Sequence, residues 1–380
     1  GYGVTGQQEI NQGDYPFLPV YTIGKETAMY QFDTTYYYTA RPDAYNKKIK
    51  WESTTTWNAG LDVGILNNRI SGSLDYYFRK TTNLINVVSV PALSNFRNKV
   101  ISNVGSLQNN GIEFTFNAKP IANKNCTWDM SFNVTRNLNK ITKLTTGSQE
   151  GYYIPLGGIF QGNVQAAAVG HPNNSYYVFK QKYDVNGKPI ESGATKPDGN
   201  GNYTDLDAFV DMNNDTIINE KDKYFYKSAN PEYTFGFSTK VIYKNFDFGI
   251  NLHANVGNYV YNAVAAERLN VGVTGIYTLG YLSNKPKSAV ARGFQGTSPN
   301  TYLSDYFVEN GSFLRCDNIT IGYSFNNLFH AISTARIYAA VQNPFLISGY
   351  SGLDPEVFGG IDNNIYPRPL TTLLGLSIIF

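Results

Sequence analysis

Residues 371–380, Thr-Thr-Leu-Leu-Gly-Leu-Ser-Ile-Ile-Phe, have the pattern of a β-strand with one apolar face. Leu374, Leu376 and Ile378 fall on one side, together with Thr372 and the terminal Phe380. This period of two is the one that a pleated strand requires. Because the same pattern recurs along the whole chain, it predicts an all-β protein and indicates a transmembrane antiparallel β-barrel.

The recurring segments separate their two faces by chemistry as well as by period. They are residues 51–65, 69–79, 112–118, 128–135, 232–241, 246–255, 318–325 and 335–342. In a lipid-embedded barrel the apolar face points outward, so the opposite polar residues should line the lumen. The sequence therefore predicts an inward position for Glu113, Asp129, Asn133, Asp247 and His253.

The connections between these segments alternate in length. Counted back from the end of the chain, they are long at 344–370, short at 326–333, long at 257–311, short at 244–245, long at 139–230, short at 120–125, long at 80–110, short at 66–68 and long at 7–50. Outer-membrane barrels have short periplasmic turns and long extracellular loops, whereas a soluble sandwich has no reason to keep its long loops at one end. The count predicts about ten strands.

Composition narrows the class of protein further. The chain has 380 residues, a net charge of +2, 16% charged residues and 15% aromatic residues. It contains no apolar run near the roughly 18 residues of a spanning helix, and only closed barrels satisfy every backbone group of membrane strands. The near-neutral charge gives no case for nucleic acid as a partner. Cys126 and Cys316 are too few for a disulfide framework, and their positions at opposite strand ends argue against a bridge.

The amino-terminus, Gly-Tyr-Gly-Val-Thr-Gly at residues 1–6, has the pattern of a strand already under way. No charged segment or small-residue cleavage site of a signal peptide precedes it. We therefore expect the chain to be the carboxy-terminal piece of a larger barrel.

Several ordered motifs resemble one family. Asp211-Met-Asn-Asn-Asp-Thr-Ile-Ile-Asn-Glu-Lys-Asp222, followed by Asn230-Pro-Glu-Tyr-Thr-Phe-Gly-Phe237, resembles the stretch before two late barrel strands of SusC/RagA-like TonB-dependent outer-membrane transporters. Further blocks match in order at residues 103–106, 110–113, 311–323, 342–345, 354–356 and 366–368. The resemblance extends over essentially all of the chain.

The resemblance implies a barrel of about 22 strands, of which residues 1–380 supply roughly the last ten. The amino-terminal plug domain, the TonB-contacting segment and the early strands are then absent from this chain. It also implies an integral protein of the outer membrane of a Gram-negative bacterium of the Bacteroidota, in contact with outer-membrane lipid. The complete protein is expected to import a bulky nutrient, a glycan or oligosaccharide foremost and a peptide second. Its implied partners are TonB and a SusD-like surface lipoprotein that acts as a lid.

Two alternatives to active import remain open at this point. A passive porin or an adhesive outer-membrane barrel would use the same strands without energy coupling. An enzyme finds no support, because no Gly-x-Ser-x-Gly, His-Glu-x-x-His, P-loop or Cys-x-x-Cys motif is present and the three histidines are scattered.

Tyrosines in the long loops are candidates for substrate binding. Aromatic rings can stack on the apolar faces of sugars while amide and carboxylate groups bond the hydroxyls. The same residues could instead pack the loops or contact the lid. The candidates are Tyr152, Tyr153, Tyr176, Tyr177, Tyr203 and Tyr306.

An acidic loop has the oxygen spacing of a calcium site. In a twelve-residue frame that starts at Asp211, the side chains at positions 1, 3 and 5 are Asp211, Asn213 and Asp215. Position 7 offers the carbonyl of Ile217, and positions 9 and 12 are Asn219 and Asp222. Thr216 stands where such loops carry glycine, and position 12 is Asp rather than Glu. No cofactor is required, and the loop predicts either bound Ca²⁺ or a turn in which Asp and Asn bond their own backbone.

Overall fold

A computed structural model describes residues 1–7, 15–24, 29–91, 93–144, 152–267, 287, 291, 298–329, 332–363 and 365–379. Its strands, in chain order, are β1 (Tyr2–Gly6), β2 (Tyr21–Ile23), β3 (Met29–Phe32), β4 (Thr35–Tyr38), β5 (Ala40–Pro42), β6 (Ser53–Ile65), β7 (Ile70–Ser89), β8 (Lys99–Ala122), β9 (Cys126–Leu144), β10 (Tyr153–Ile159), β11 (Gly162–Ala168), β12 (Ser175–Phe179), β13 (Lys223–Ser228), β14 (Tyr233–Tyr243), β15 (Phe246–Val256), β16 (Tyr259–Tyr261), β17 (Val308–Asn310), β18 (Phe313–Phe329), β19 (Ile332–Ser348) and β20 (Thr371–Ile379). Two short helices are α1 (Asp205–Ala208) and α2 (Ala263–Glu267).

Ten of these strands form one antiparallel sheet in the order β1-β6-β7-β8-β9-β14-β15-β18-β19-β20. Chain neighbours within this set are also neighbours in the sheet, so it is an up-and-down meander. The predicted all-β antiparallel architecture and the expected number of about ten strands are confirmed. Among the described residues, no helix is both long enough and apolar enough to cross a membrane.

The apolar side chains of the meander meet in register on one face. Across β6 to β9 they follow one another at Leu61, Leu74, Phe114 and Val134. Farther along, Ile321 lies opposite Phe248 on one neighbour and Ala339 on the other. This face is open rather than packed, since Leu374 is 85% exposed and Ile321 54%. An exposed apolar band of this extent is the surface that a barrel turns toward lipid.

The opposite face is polar and carries the ion pairs Arg336–Asp247 and Lys119–Asp129. Glu113 lies opposite Asp75 and Thr135, and Asp129 lies opposite Lys240. Glu113, Asp129, Asn133, Asp247 and His253 all alternate with apolar-face residues, so they occupy the inner face as predicted. In a barrel that face lines the lumen.

The short connections cluster at one end of the meander and the long ones at the other. Residues 66–69, 123–125 and 244–245 are the short turns, and 7–52, 145–232, 257–312 and 349–370 are long loops. Successive connections of an antiparallel meander lie at alternate ends of the sheet, so the short turns share one end and the long loops share the other. The predicted arrangement of loops is therefore present in the described chain.

Three predicted connections had wrong boundaries. The connection expected at 80–110 is only 90–98, because β7 and β8 continue to pair as far as Ser89 and Lys99. The loop expected from 344 begins after Ser348, since β19 runs through Pro344. There a register shift leaves Asn343 and Pro344 outside the ladder, and a bulge is where a strand tolerates proline. The turn expected at 326–333 is likewise shorter, as β18 reaches Phe329 and β19 starts at Ile332.

Three long loops fold together into a compact layer, which we call the loop cap: residues 152–228, 257–312 and 349–363 within the described ranges. Its own four-stranded sheet has the order β10-β11-β12-β13. Its core comprises Val164, Tyr176, Val178, Phe179, Ala208, Phe209, Tyr261, Ala263, Ala266, Tyr302, Leu303, Phe307 and Val308. Burial of aromatic and aliphatic side chains from separate loops is what fixes the loops relative to one another.

The outward face gives the first prediction. Ile321→Arg places a charge in the apolar band and should lower the free energy of unfolding in lipid by up to about 2–4 kcal/mol, the cost of a cation near the bilayer midplane. Thr320→Arg, one position away on the inner face, should cost much less. Urea unfolding of the full-length protein in lipid vesicles, followed by tryptophan fluorescence, measures both variants. Equal losses would contradict the assignment of the two faces.

Candidate functional site

A cluster of charged side chains joins the loop cap to the inner wall of the sheet. Arg315 on β18 donates to Asp354 of the last loop through Nη2 at 2.6 Å, and its Nε lies 3.2 Å from Glu356 Oε2. Arg368 also pairs with Glu356. His253, opposite Arg315 on β15, contacts Glu356 through Nε2 at 3.3 Å. The cluster therefore fastens the loop at 349–370 over the lumenal face.

The central ion pair of this cluster is buried, so breaking it should cost more free energy than breaking a surface pair. The side chains of Arg315 and Asp354 are only 4% and 6% exposed, so neither charge could be left without the other. Partial burial raises the pKa of Glu356, but the hydrogen bond from Arg368 and the nearby cations outweigh it and lower that pKa overall. A carboxylate with a lowered pKa stabilises the fold above its unfolded pKa, and that stability is lost as the pH falls through the lowered value.

A second set of contacts clamps the same loop from the side of the cap. Tyr176 Oη lies 2.8 Å from the carbonyl oxygen of Tyr259 and 2.6 Å from that of Gly360, and its single proton is shared between the two acceptors. Gln165 Nε2 donates to Gly359 O at 2.7 Å. Gly359 and Gly360 both have positive φ, of 75° and 78°, which is where glycine is favoured. Tyr176, a predicted substrate residue, is fully buried in this arrangement and packs the cap instead of offering a surface to a ligand.

Two other predicted tyrosines form the wall of a cleft in the cap. Tyr153 and Tyr177 lie with ring centroids 4.6 Å apart, and Tyr177 lies 4.8 Å from Phe225. His171 stacks on Phe225, with ring centroids 3.9 Å apart. The cleft encloses about 240 Å³ and is lined by Tyr153, Pro155, Gln161, Gly162, Asn163, Gln165, Tyr177, Glu220, Lys223 and Leu303.

Polar groups at the cleft are partly engaged. Lys223 Nζ pairs with Glu220 Oε1 at 2.7 Å, and Tyr153 Oη donates to Glu220 Oε2 at 3.4 Å. Burial, with the neighbouring Tyr153 and Glu220, raises the pKa of Tyr177 to about 12. Burial and Glu220 likewise raise the pKa of Tyr153. Both hydroxyls therefore remain protonated donors at neutral pH.

The remaining predicted tyrosines lie elsewhere in the cap. Tyr203 is half-buried under Lys196, whose Nζ lies 5.6 Å from the ring centroid. Tyr306 packs against the cap core, with its ring edge on Phe307. Tyr152 precedes β10 and is half-buried. The structure thus brings together Tyr153 and Tyr177 and does not bring the six candidates into one site.

Sequence reasoning did not identify Gln161, Glu220 and Lys223 as cleft residues. Gln161 sits at the β10–β11 turn, whereas Glu220 lies near the end of the acidic loop and Lys223 directly follows that loop, some 60 positions later in the chain. No local motif marks such residues, because the pairing of β11 with β12 and of β12 with β13 brings them together.

The acidic loop has internal hydrogen bonds at each of its predicted ligand positions. Asp211 accepts from the backbone N–H groups of Asn214 at 2.7 Å and Thr216 at 2.8 Å. Asp215 accepts from Ile217 N at 2.9 Å. Asp222, fully buried, accepts from the backbone N–H groups of Met212 and Asn219.

At position 6, where the sequence has Thr216 in place of the usual glycine, the backbone nevertheless has the conformation of a calcium loop. Thr216 has φ of 62°, the left-handed conformation for which glycine is usual at position 6. However, across the described residues no three His, Cys, Asp or Glu side chains converge as a metal site would require. The hydrogen bonds from loop N–H groups to Asp and Asn side chains are those expected of a structural turn, which was the second alternative. Bound calcium stays a prediction.

A larger polar recess lies on the inner face near the short turns. It encloses about 620 Å³. Arg336 donates to both carboxylate oxygens of Asp247, at 2.8 and 2.6 Å, and Lys119 lies 3.5 Å from Asp129. A bidentate pair of this kind fixes its partners in one geometry. The recess is thus a charged, ordered part of the lumen wall.

Known protein sequences include matches to the whole of this chain. The chain is 49% identical over 388 residues to the TonB-dependent receptor SusC of Bacteroides thetaiotaomicron, a match that takes in 100% of this chain and 37% of that protein. The TonB-dependent receptor P3 of Formosa agariphila is 28% identical over 406 residues, with 100% of this chain and 39% of that protein covered. The chain thus spans less than two-fifths of the length of these relatives. No protein-family model matches it.

Solved structures agree on the fold. The RagAB peptide transporter superposes with a TM-score of 0.76 at 24% identity over 99% of this chain and 40% of that chain. The RagAB peptide importer in its open-open state gives 0.75 at 24% identity over 100% of this chain and 39% of that chain. At this identity the likeness concerns the fold alone.

The meander, its apolar outer face and these matches define the β-barrel of an outer-membrane TonB-dependent receptor. The relatives come from Bacteroidota, and the outer membrane is where such a barrel lies. Within that class, the chain belongs to the SusC/RagA-like family of TonB-dependent transporters, as its ordered motifs indicated.

The buried ion pair generates the second prediction. Among the described residues, Arg315→Met leaves the buried Asp354 carboxylate with the Glu356 N–H at 3.0 Å and Arg368 as its remaining cation at 4.0 Å, and should destabilise the attachment of the loop by about 3–5 kcal/mol. Amide hydrogen exchange of residues 349–363 in the full-length protein should become faster. Lys48→Met, on an exposed loop, is the control and should leave it unchanged. Unchanged exchange in Arg315→Met would mean that the cluster does not hold the loop.

Calcium titration tests the acidic loop. Bound Ca²⁺ should raise the thermal unfolding midpoint of the full-length protein relative to EGTA. Asp215→Asn keeps an oxygen that can accept from Ile217 N but removes one ligand charge, so it should reduce that gain. Equal midpoints with Ca²⁺ and EGTA in the unmodified protein would assign the loop to the structural turn alone.

Proposed function

We propose that the complete protein actively imports bulky nutrients across the outer membrane, and that this chain supplies the barrel wall and the loop cap at its mouth. The observation that carries the proposal is the 49% identity to the TonB-dependent receptor SusC along the whole chain. A polar, ion-paired lumenal face behind an apolar outer band gives a hydrophilic solute a path through lipid.

The substrate class that we propose first is a glycan or oligosaccharide. The cap presents tyrosine rings beside amide, carboxylate and ammonium groups, the combination that recognises a ring with hydroxyls on its rim. A peptide is the second candidate, because the RagAB structures of the same fold are those of a peptide transporter.

We further propose two partners for the complete protein. A SusD-like surface lipoprotein would form the lid above the loop cap, where Phe160 and Phe358 are almost completely exposed, at 90% and 105%. TonB would provide energy through a segment outside this chain. Two apolar side chains at loop tips, one of them on the clamped turn at 358–360, are suitable anchors for a protein surface.

The alternatives to import predict different behaviour. A passive porin or an adhesive barrel would have no need of the proton gradient. Catalysis is not proposed, since the similar proteins are receptors and transporters. Energy dependence of uptake is therefore the property that separates active import from both alternatives.

Uptake in cells tests the proposal. A Bacteroidota host that lacks related transporters and expresses the full-length protein with its lipoprotein should accumulate fluorescent neutral oligosaccharides. Collapse of the proton gradient with a protonophore should abolish that accumulation. Residual uptake at the original rate would indicate a passive pore, and uptake of labelled oligopeptides in place of sugars would select the second substrate class.

A further inference from the structure

We propose that the cleft walled by Tyr153 and Tyr177 is a binding subsite for a single neutral sugar unit at the end of a longer ligand. The inference deepens the proposed import function and rests on it. The cleft lies in the loop cap, away from the charged recess on the lumen wall, and is formed by β10, the β10–β11 turn, β11, β12, the end of the acidic loop and the start of β13.

Size limits what the cleft can hold. Its volume of about 240 Å³ is below the range of roughly 300–1,000 Å³ for pockets that enclose a drug-sized ligand. It therefore fits one ring and leaves the rest of an oligomer outside. A terminal sugar unit has this shape, with an apolar face for the tyrosine rings and hydroxyls around the edge.

An unsatisfied polar atom points to a ligand. Gln161 Oε1 is shielded from solvent and accepts no hydrogen bond from the described residues. Leaving such an acceptor unpaired costs free energy comparable to a lost hydrogen bond. A hydroxyl donor in the cleft would satisfy it.

The charges of the cleft favour a neutral ligand. Glu220 and Lys223 form an ion pair at 2.7 Å, so they cancel. The Glu220 side chain is 64% exposed, which leaves carboxylate lone pairs open to further donors, whereas the Lys223 side chain is 4% exposed and is held over the Phe179 ring. The Tyr153 and Tyr177 hydroxyls donate to Glu220, to its carboxylate at 3.4 Å and to its backbone carbonyl at 3.3 Å, so their oxygens face the cleft as acceptors. Together with the Glu220 carboxylate and Gln161 Oε1 they offer several acceptors to the hydroxyl donors of a neutral sugar.

The cleft is poorly suited to a peptide bound by its backbone. Peptides commonly add a strand to an open sheet edge, and β10 is the edge of the cap sheet beside the cleft. Pro155 removes a donor from that strand, and Gly157, with φ of 59°, lies outside the ladder with β11. An edge interrupted in this way resists strand addition.

Binding to the purified full-length protein tests the subsite. The probes are neutral hexasaccharides of glucose, mannose and xylose, a hexagalacturonate and a six-residue Gly-Ser peptide, measured by calorimetry in a detergent without a sugar headgroup. At least one neutral hexasaccharide should bind with a Kd of about 1 mM or tighter. Hexagalacturonate and the peptide should bind at least about tenfold more weakly.

Matched variants locate that binding. Tyr153→Ala and Gln161→Leu should each weaken neutral-sugar binding by about fivefold to tenfold. Tyr36→Ala and Gln31→Leu, on the exposed β3–β4 hairpin, should bind as the unmodified protein does. Unchanged thermal midpoints in all four variants establish that the cap is folded.

Three results would overturn the subsite: no neutral hexasaccharide binds, the charged sugar or the peptide binds more tightly, or folded Tyr153→Ala and Gln161→Leu retain full sugar binding. Uptake separates this failure from failure of the proposed function. If cells import oligosaccharides while both variants bind and import them normally, import is supported and only the subsite is wrong. If the cells import none, the import function itself fails, whatever the cleft binds.

Discussion

Lipid offers no hydrogen-bond partner to the backbone, and this constraint governs the whole chain. Membrane strands must satisfy their N–H and C=O groups on one another, so each of the eight inner strands of the meander pairs on both sides. Because the backbone pairing is the same in every strand, the strands differ from one another in their side chains. Between the bulges of the ladder the side chains alternate, which turns apolar groups such as Leu374 outward and polar groups such as Asp247 inward. A barrel wall and a hydrophilic lumen follow from the same period of two.

The loop cap depends on that wall but is stabilised differently. Its loops are long and separate in sequence, so they require contacts with one another to become ordered. An apolar core around Tyr176 and Phe209 provides most of them, and the buried Arg315–Asp354 pair ties the cap to β18. Because both contacts reach the loop at 349–370, that loop is held from two sides. Contacts from two sides fix the position of this loop relative to the wall and to the rest of the cap.

Sequence alone was sufficient for the wall and insufficient for the cap. The period of two identified the strands, and the alternation of loop lengths gave their direction, because both are local properties of a chain that pairs with its neighbour. The errors were at ends: periodicity could not show that the ladder of β7 and β8 continues to Ser89, or that a bulge accommodates Pro344.

The candidate site shows the same division. Residue type and loop position were enough to select Tyr153 and Tyr177. The same criteria also selected Tyr176, which is adjacent to Tyr177 in sequence but is a core residue. Alternation within β12 turns Tyr177 toward the cleft and Tyr176 into the cap. The partners Gln161, Glu220 and Lys223 depend on how distant segments pack, which no local pattern records. The acidic loop could be located from its spacing, whereas its internal hydrogen bonds could not be deduced.

The most direct test of this account is the sidedness of the two ends of the meander. In a Cys126→Ser background, in which the remaining Cys316 of this chain is buried, one cysteine would be introduced either at Asn186 in the loop cap or at Asn68 in a short turn, and intact cells would be treated with a membrane-impermeant maleimide. We predict labelling of Asn186→Cys on intact cells and of Asn68→Cys only after lysis. Labelling of Asn68→Cys from outside, or of both positions alike, would contradict a barrel with its loops at the cell surface.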